Sequence, residues 1–323
     1  MDKYLKINNS DLTVCRIGFG TSQAGLPWDG AAARGILDGY IGLGGNLIDT
    51  ARIYSDWVPP EIGRSERVLG DWIRHRGKHS DIILLTKCGH PRLNSMHTSR
   101  MSREEIESDL EKSLKSLCVE CIDIFCYHRD GINRPVEYLI ETMENFVRAG
   151  KIRYYGCSNW SAARMAEADA YCKQAGYRGF IINEALFNYG TKYMKPHSDD
   201  TLAVADDSML KYHARTHDNV LVPYTSLCGG FFHTLDSKGE EAVKDSPYYT
   251  TGNLERYKKL KIIAKRHSTG FTQALLGFVL TKKTAMIPLM SSGSVKHIEY
   301  AMDTLNIDFC ADEFKDESAP GDI

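Results

Sequence analysis

The chain has little of what marks a membrane, secreted or nucleic-acid-binding protein. No stretch approaches about 18 uninterrupted apolar residues, and the opening MDKYLKINNSD has no apolar core of the kind a secretory leader needs. A soluble protein with the cytoplasm as its default compartment is expected. Charge of neither sign dominates: 40 Lys and Arg stand against 42 Asp and Glu. A nucleic acid would therefore find no electrostatic footprint. The nine cysteines are scattered through apolar runs, with no framework spacing. Cys118-x-x-Cys121-x(4)-Cys126 comes nearest to a metal motif, and small core or near-core residues around one strand explain it better. The pairs His75/His79 and His213/His217 have helical spacing but sit among Lys, Arg and Asp, so they read as solvated helix faces. No metal is expected.

Nucleotide-binding and zinc-hydrolase signatures are also missing. There is no P-loop and no HExxH; GFGTSQ lacks the third glycine of a dinucleotide fingerprint. GLGGNL precedes a strand, so Gly44 and Gly45 read as a helix C-cap. Pro/Gly/Ser-rich linkers are absent too, which argues for one domain over 1–323.

What is present is alternation. Short apolar runs at 17–20, 46–49, 82–86, 122–126, 152–157, 180–183, 219–223 and 285–288 are separated by amphipathic helical patterns such as 64–76, 102–117, 134–149, 161–175, 199–216 and 253–266. Ser102 and Glu105 are spaced as a capping box. Ahead of the first run, YLKI and TVCRI flank the turn-rich NNSD and predict a small β-hairpin. Eight βα units with short connections predict an α/β fold, a (β/α)8 barrel of the TIM type with a short N-terminal hairpin.

In such barrels chemistry gathers at the C-terminal ends of the strands. Asp49 ends the second strand in NLIDTARIYSD, Lys87 follows the third in LLTKCG, and His128 follows the fourth in IFCYHRD. Tyr54 lies in the loop just past Asp49. A lysine leaving an apolar strand needs a counter-charge, which Asp49 on the next strand is placed to supply. A cation beside a phenol lowers its pKa, so Lys87 is expected to make Tyr54 a usable general acid. A neutral His128 can orient a carbonyl oxygen by donating a hydrogen bond. The set can polarise and protonate a carbonyl, but another group must bring the electrons.

Asp49, Tyr54, the Thr86-Lys87 pair and His128-Arg129-Asp130 together resemble the aldo-keto reductases, over essentially the whole chain. The resemblance implies a (β/α)8 barrel with a nicotinamide cofactor, NADP or NAD, extended across its rim. It implies Asp49, Tyr54, Lys87 and His128 as the catalytic tetrad. It places Gly20, Thr21 and Asp49 at the nicotinamide, and Ser158 and Asn159 on its carboxamide. Tyr224, Thr225, Ser226, Leu227 and Gly230 match the loop that wraps the pyrophosphate, where backbone donors suit an anion.

Departures accompany these matches. Glu184 stands where the family usually has Gln, and Phe187 where it usually has a stacking Tyr. A carboxylate cannot donate the amide's hydrogen bond unless protonated, so weaker discrimination between cofactor states or a shift toward NAD⁺ is expected from Glu184. Leu289 takes a glycine place and Ala301 an asparagine place in the last segment. Ser291 and Lys296 remain to meet a 2′-phosphate, and the choice of NADP or NAD stays open, with NADPH favoured on family grounds. Trp28, Trp57 and Arg129 are expected to wall the substrate pocket, with sugar or polyol carbonyls ahead of aromatic ketones. A non-catalytic, redox-sensing nicotinamide-binding subunit is the rival function, and a Schiff-base enzyme using Lys87 a further one. A monomer or homo-oligomer without nucleic-acid or membrane partners completes the expectation.

Overall fold

The computed structural model describes residues 2–216 and 218–316. Strands β1 (Tyr4–Lys6) and β2 (Thr13–Cys15) pair antiparallel as the expected hairpin. Eight parallel strands follow: β3 (Gly18–Gly20), β4 (Leu47–Asp49), β5 (Ile83–Cys88), β6 (Ile122–Tyr127), β7 (Ile152–Ser158), β8 (Ile182–Leu186), β9 (Val220–Tyr224) and β10 (Leu289–Met290). From β3 to β9 each lies beside the next in chain order, and β10 lies beside β3. The ladder expected at 285–288 falls at Leu289–Met290, and the extended residues just before it close the barrel. Ile287 N donates to Leu221 O at 3.0 Å, and Gly18 N donates to Pro288 O at 3.0 Å.

Around the barrel run α1 (Gly30–Gly42), α2 (Arg64–Arg76), α3 (Arg103–Leu117), α4 (Val136–Arg148), α5 (Ala162–Ala175), α6 (Asp207–Thr216), α7 (Phe231–Lys238), α8 (Thr251–Arg266), α9 (Phe271–Leu280) and α10 (Val295–Met302). The α3 capping box forms as the spacing predicts: Ser102 accepts from Glu105 N, and the Glu105 carboxylate accepts from Ser102 N at 3.2 Å. The helix expected over 199–216 starts only at Asp207. Asp199 folds the chain into a local turn instead, its carboxylate accepting from Thr201 N at 2.9 Å, an option open to short acidic side chains. His213 is a second correction. It is buried, with Nε2 3.2 Å from Asn183 Nδ2, so it belongs to the core and not to a solvated face. Its partner in the expected pair, His217, lies outside the described residues.

Side chains alternate across each strand, giving two apolar compartments. One fills the barrel with Leu47, Leu85, Ile124, Ile182, Val222 and Leu289, and the hairpin's Ile7, Leu12 and Val14 pack against it at the N-terminal end. The other lies between strands and helices. The lumen is tight at Gly156, where an added Cβ would meet Ile182 O at 2.8 Å and Cys126 Sγ at 2.9 Å. We expect Gly156→Ala to cost about 1–3 kcal/mol by overpacking, read as a lower urea midpoint with an unchanged slope. An unchanged midpoint would mean that the lumen can yield.

Candidate active site

Strand alternation that buries Leu47 and Leu85 in the lumen also turns Asp49 and Lys87 inward, one layer nearer the C-terminal rim. By the same parity Glu184 on β8 faces in, two residues after Ile182. These side chains meet. Lys87 Nζ donates to Asp49 Oδ1, to Tyr54 OH at 2.9 Å and to Thr50 O at 3.0 Å, and lies 3.2 Å from Glu184 Oε2. Lys87, Asp49 and Glu184 are 0%, 2% and 1% exposed, so the cluster is cut off from bulk water except through Tyr54 and Asp49.

Tyr54 is held over the cluster by a pinned loop. Ser55 Oγ donates to Ser22 O and Ala24 O at 3.0 and 2.8 Å, and Asp56 accepts from Gly63 N at 2.6 Å. The ring lies edge-on to His128, with centroids 5.6 Å apart. His128 in turn sits 4.7 Å from the ring of His90, which sequence reasoning missed. Burial, His90 and the positive Arg129 and Lys87 hold His128 well below the ordinary imidazole range, so it is neutral. Burial likewise pushes His90 down to about 4.

Lys87 is raised well above its ordinary value: the neighbouring Asp49, Glu184 and Tyr54 outweigh burial, which pulls the other way. A lysine held charged by two carboxylates is a poor imine-forming nucleophile, which counts against the Schiff-base expectation. The expected effect on Tyr54 is reversed. Its phenol is raised above the ordinary value, first by burial and then by the charge of Asp49, and Lys87 offsets only part of this. Burial and the Asp49 charge leave the phenol protonated across the neutral range.

The cluster lies between two cavities. A cleft of about 880 Å3 is bordered by Gly20, Asp49, Tyr54 and Tyr224 at its deep end and by Ser291, His297 and Tyr300 farther out. Thr225, Ser226, Leu227 and Gly230 form one wall. There the backbone turns through positive φ at Thr225, Cys228, Gly229 and Gly230, uncommon for a β-branched threonine. Neither glycine has an atom within 4 Å of where a Cβ would be, and α7 begins beside them without a side-chain cap. A helix start without a side-chain cap suits a diphosphate through its dipole. A second cavity, about 930 Å3, opens past Lys87 and His90 and is walled by Ile53, Trp57, Pro59, Ile62 and Leu93.

Several expected residues are elsewhere. Phe187 lies an odd number of residues from Glu184, so it points out of the barrel and stacks on Phe278 at 5.7 Å. Tyr224 on β9 borders the cleft in its place. Thr21 is buried behind Asp49, donating to its carbonyl at 2.8 Å and touching Ser65 Oγ at 2.9 Å. Ser158 and Asn159 are buried, and the Asn159 amide is already committed. It donates to His128 O and Ser158 Oγ, and accepts from Ala203 N and Tyr224 OH. Trp28 is 3% exposed and packs on Phe19 in the outer core, away from both cavities. Arg129 is bound to Thr201, Asp199 and the carbonyl of His128. Lys296 lies on the exposed side of α10, while His297 lines the cleft. Trp57 does wall the second cavity and is 44% exposed. His297 and His233, another lining residue, follow from no motif; only the rim position of α7 and α10 brings them there.

The model of the Aldo/keto reductase family matches residues 16–318. The chain belongs to that family. It is an oxidoreductase of carbonyl and alcohol groups using NADP or NAD, and its substrate is a small carbonyl compound. Among characterised relatives, an aryl-alcohol dehydrogenase of Pestalotiopsis microspora is 23% identical over 95% of this chain and 79% of its own length. An NADP(+) aryl-alcohol dehydrogenase of Phanerodontia chrysosporium is 24% identical over 94% and 82%. An NADP(+) aldo-keto reductase of Schizosaccharomyces pombe is 26% identical over 94% and 86%. Among the described residues no helix is long and apolar enough to cross a membrane.

Proposed function

We propose that this aldo/keto reductase reduces an aryl or similarly apolar carbonyl compound with NADPH, Tyr54 giving the proton to the carbonyl oxygen. The observation that carries the reading is the cluster's place between two cavities: Tyr54 borders the long cleft, and Lys87 and His90 border the apolar one. When bound in the long cleft, the nicotinamide supplies hydride to the carbonyl carbon. The chain's own residues do the rest. Tyr54, protonated at neutral pH, stands ready as donor, and neutral His128 helps to orient the oxygen.

The wall of the second cavity sets the substrate class. Trp57, Ile62 and Leu93 are 44%, 72% and 45% exposed there, an apolar surface that an aromatic substrate would cover. This moves aryl carbonyls ahead of sugars, and the named activities of the two aryl-alcohol dehydrogenases agree. For the cofactor, Ser291, Ser292 and His297 line the outer part of the cleft, and Asp49 at the deep end is the one acid among its described lining residues. A 2′-phosphate would meet donors there and no carboxylate. We expect NADPH to bind at least about tenfold more tightly than NADH, a difference of about 1.4 kcal/mol, in a fluorescence titration. Aryl aldehydes should show higher kcat/KM than aldoses. Equal affinity for the two cofactors would remove the phosphate argument, and preference for aldoses would remove the apolar one.

A further inference from the structure

Lys87 has three N–H donors but four oxygens within reach: Asp49 Oδ1, Thr50 O, Tyr54 OH and Glu184 Oε2. At least one of the four is therefore left without a lysine proton. Glu184 is the outlying member at 3.2 Å, and its other oxygen, Oε1, is buried with no hydrogen-bond partner. Two ionised carboxylates beside one ammonium would leave a net negative charge in a dry barrel, which is costly. One added proton removes both difficulties. Glu184 then donates its hydroxyl to Asp49, with which it is in hydrogen-bond contact, and the three lysine protons go to Asp49, Thr50 and Tyr54.

We propose that Glu184 is the internal proton store of this site, refilling Tyr54 through Lys87 each time Tyr54 protonates the substrate oxygen. The proposal rests on Tyr54 being the proton donor. In the reductive step the Tyr54 O–H bond breaks and an O–H bond forms on the substrate, balancing the hydride that reaches carbon. The phenolate takes a proton from Lys87 Nζ, and the Glu184 hydroxyl, turning from Asp49 to the neutral amine 3.2 Å away, gives its proton to Lys87. The step ends with a phenol, an ammonium and a Glu184 carboxylate, which solvent protonates before the next turnover. Glu184 is a positioning residue in this sense, because it acts only through Lys87.

The groups facing Glu184 inside the barrel are Asp49 on β4, Tyr54 on the loop after it, Lys87 on β5, Cys126 on β6 and Tyr224 on β9, with Cys157 of β7 turned to the outer core behind them. Both thiols and both phenols are pushed up by burial and stay neutral near pH 7, so Asp49 and Lys87 set the balance. Burial and then the charge of Asp49 raise Glu184 from 4.5 to about 8, against Lys87. Between those two values the folded protein holds a proton that the unfolded chain has lost. Stability therefore falls as pH rises through this window, and the deficit is complete above about 8.

Glu184→Gln tests the proposal, because glutamine keeps the shape and cannot exchange a proton. The wild type should show the infrared carbonyl band of a protonated carboxyl at neutral pH, fading near pH 8, and the variant should lack it. Reduction by the wild type should slow as pH rises through the same range. In the variant kcat should be about tenfold lower at neutral pH, less than the ~10²–10⁴-fold a direct donor contributes, and flat across that range. The wild-type slope of thermal midpoint against pH should flatten in the variant. A wild-type band that fades near the ordinary carboxylate value, or a variant with the wild-type pH profile, would overturn the store and leave Tyr54 standing. If the variant does not fold, the wild-type infrared titration alone decides. A wild type that reduces no carbonyl would remove the Tyr54 reading, whereas the infrared result would stand.

Discussion

Tyr54→Phe lowers kcat for carbonyl reduction by about 10²–10⁴-fold and leaves the cofactor dissociation constant within about twofold. The hydroxyl accounts for both halves of this expectation. It borders the deep end of the long cleft and accepts a hydrogen bond from Lys87 Nζ at 2.9 Å. Among the described side chains that border the cleft, Tyr54 and Asp49 reach Lys87, and of the two only Tyr54 carries a hydroxyl. Phenylalanine keeps the ring, its edge contact with His128 and the packing of the pinned loop, so cofactor binding has no reason to change. Stopped-flow reduction with a fluorescence titration checks it. Retained turnover would mean that the proton comes from elsewhere, with neutral His128 or solvent as the remaining donors.

Lys87→Met has the largest expected effect on stability. The ammonium is fully buried and is the one cation between Asp49 and Glu184. Removing one partner of a buried ion pair costs about 3–5 kcal/mol, because the other is left charged and unsolvated. Here Asp49 loses its partner and escapes by taking up a proton, while Glu184 keeps the proton it already holds to higher pH. Their pKa values rise further above the unfolded values, so the added loss is small in acid and grows as pH rises through the carboxylate range. Urea unfolding of wild type and variant at about pH 5 and about pH 8 measures the difference. An equal loss at both would mean that the cost is steric and not electrostatic.

Much of the site is legible in the sequence, and the reasons are local. Asp49 and Lys87 end apolar strands, so an inward polar residue at the rim follows from strand parity alone. Tyr54 and His128 follow from their distance past those ends, and the α3 cap from Ser102 and Glu105. Phe187 shows the same rule neglected: three residues from an inward Glu184, it has to face outward, and Tyr224 on β9 borders the cleft instead. Lys296 and His297 differ by one position on a helix, which turns a side chain by about 100° and decides whether it reaches the cleft. The direction of the Tyr54 shift was beyond the sequence, because it depends on burial and on Glu184 sharing Lys87 with Asp49. Asp207, and not 199, begins α6 because the Asp199 side chain captures the backbone that a helix would need.

The central claim is that the cluster under Tyr54 moves a proton while hydride crosses from one cavity to the other. Its most direct test is a single turnover of the wild type with NADPH deuterated at the transferred position and an aryl aldehyde in the apolar cavity. Deuterium on the carbinol carbon, with a primary isotope effect that persists at saturating aldehyde, is the predicted result. NADPH held tightly with its deuterium retained, whatever carbonyl is offered, would contradict it and would favour a redox-sensing role for the protein.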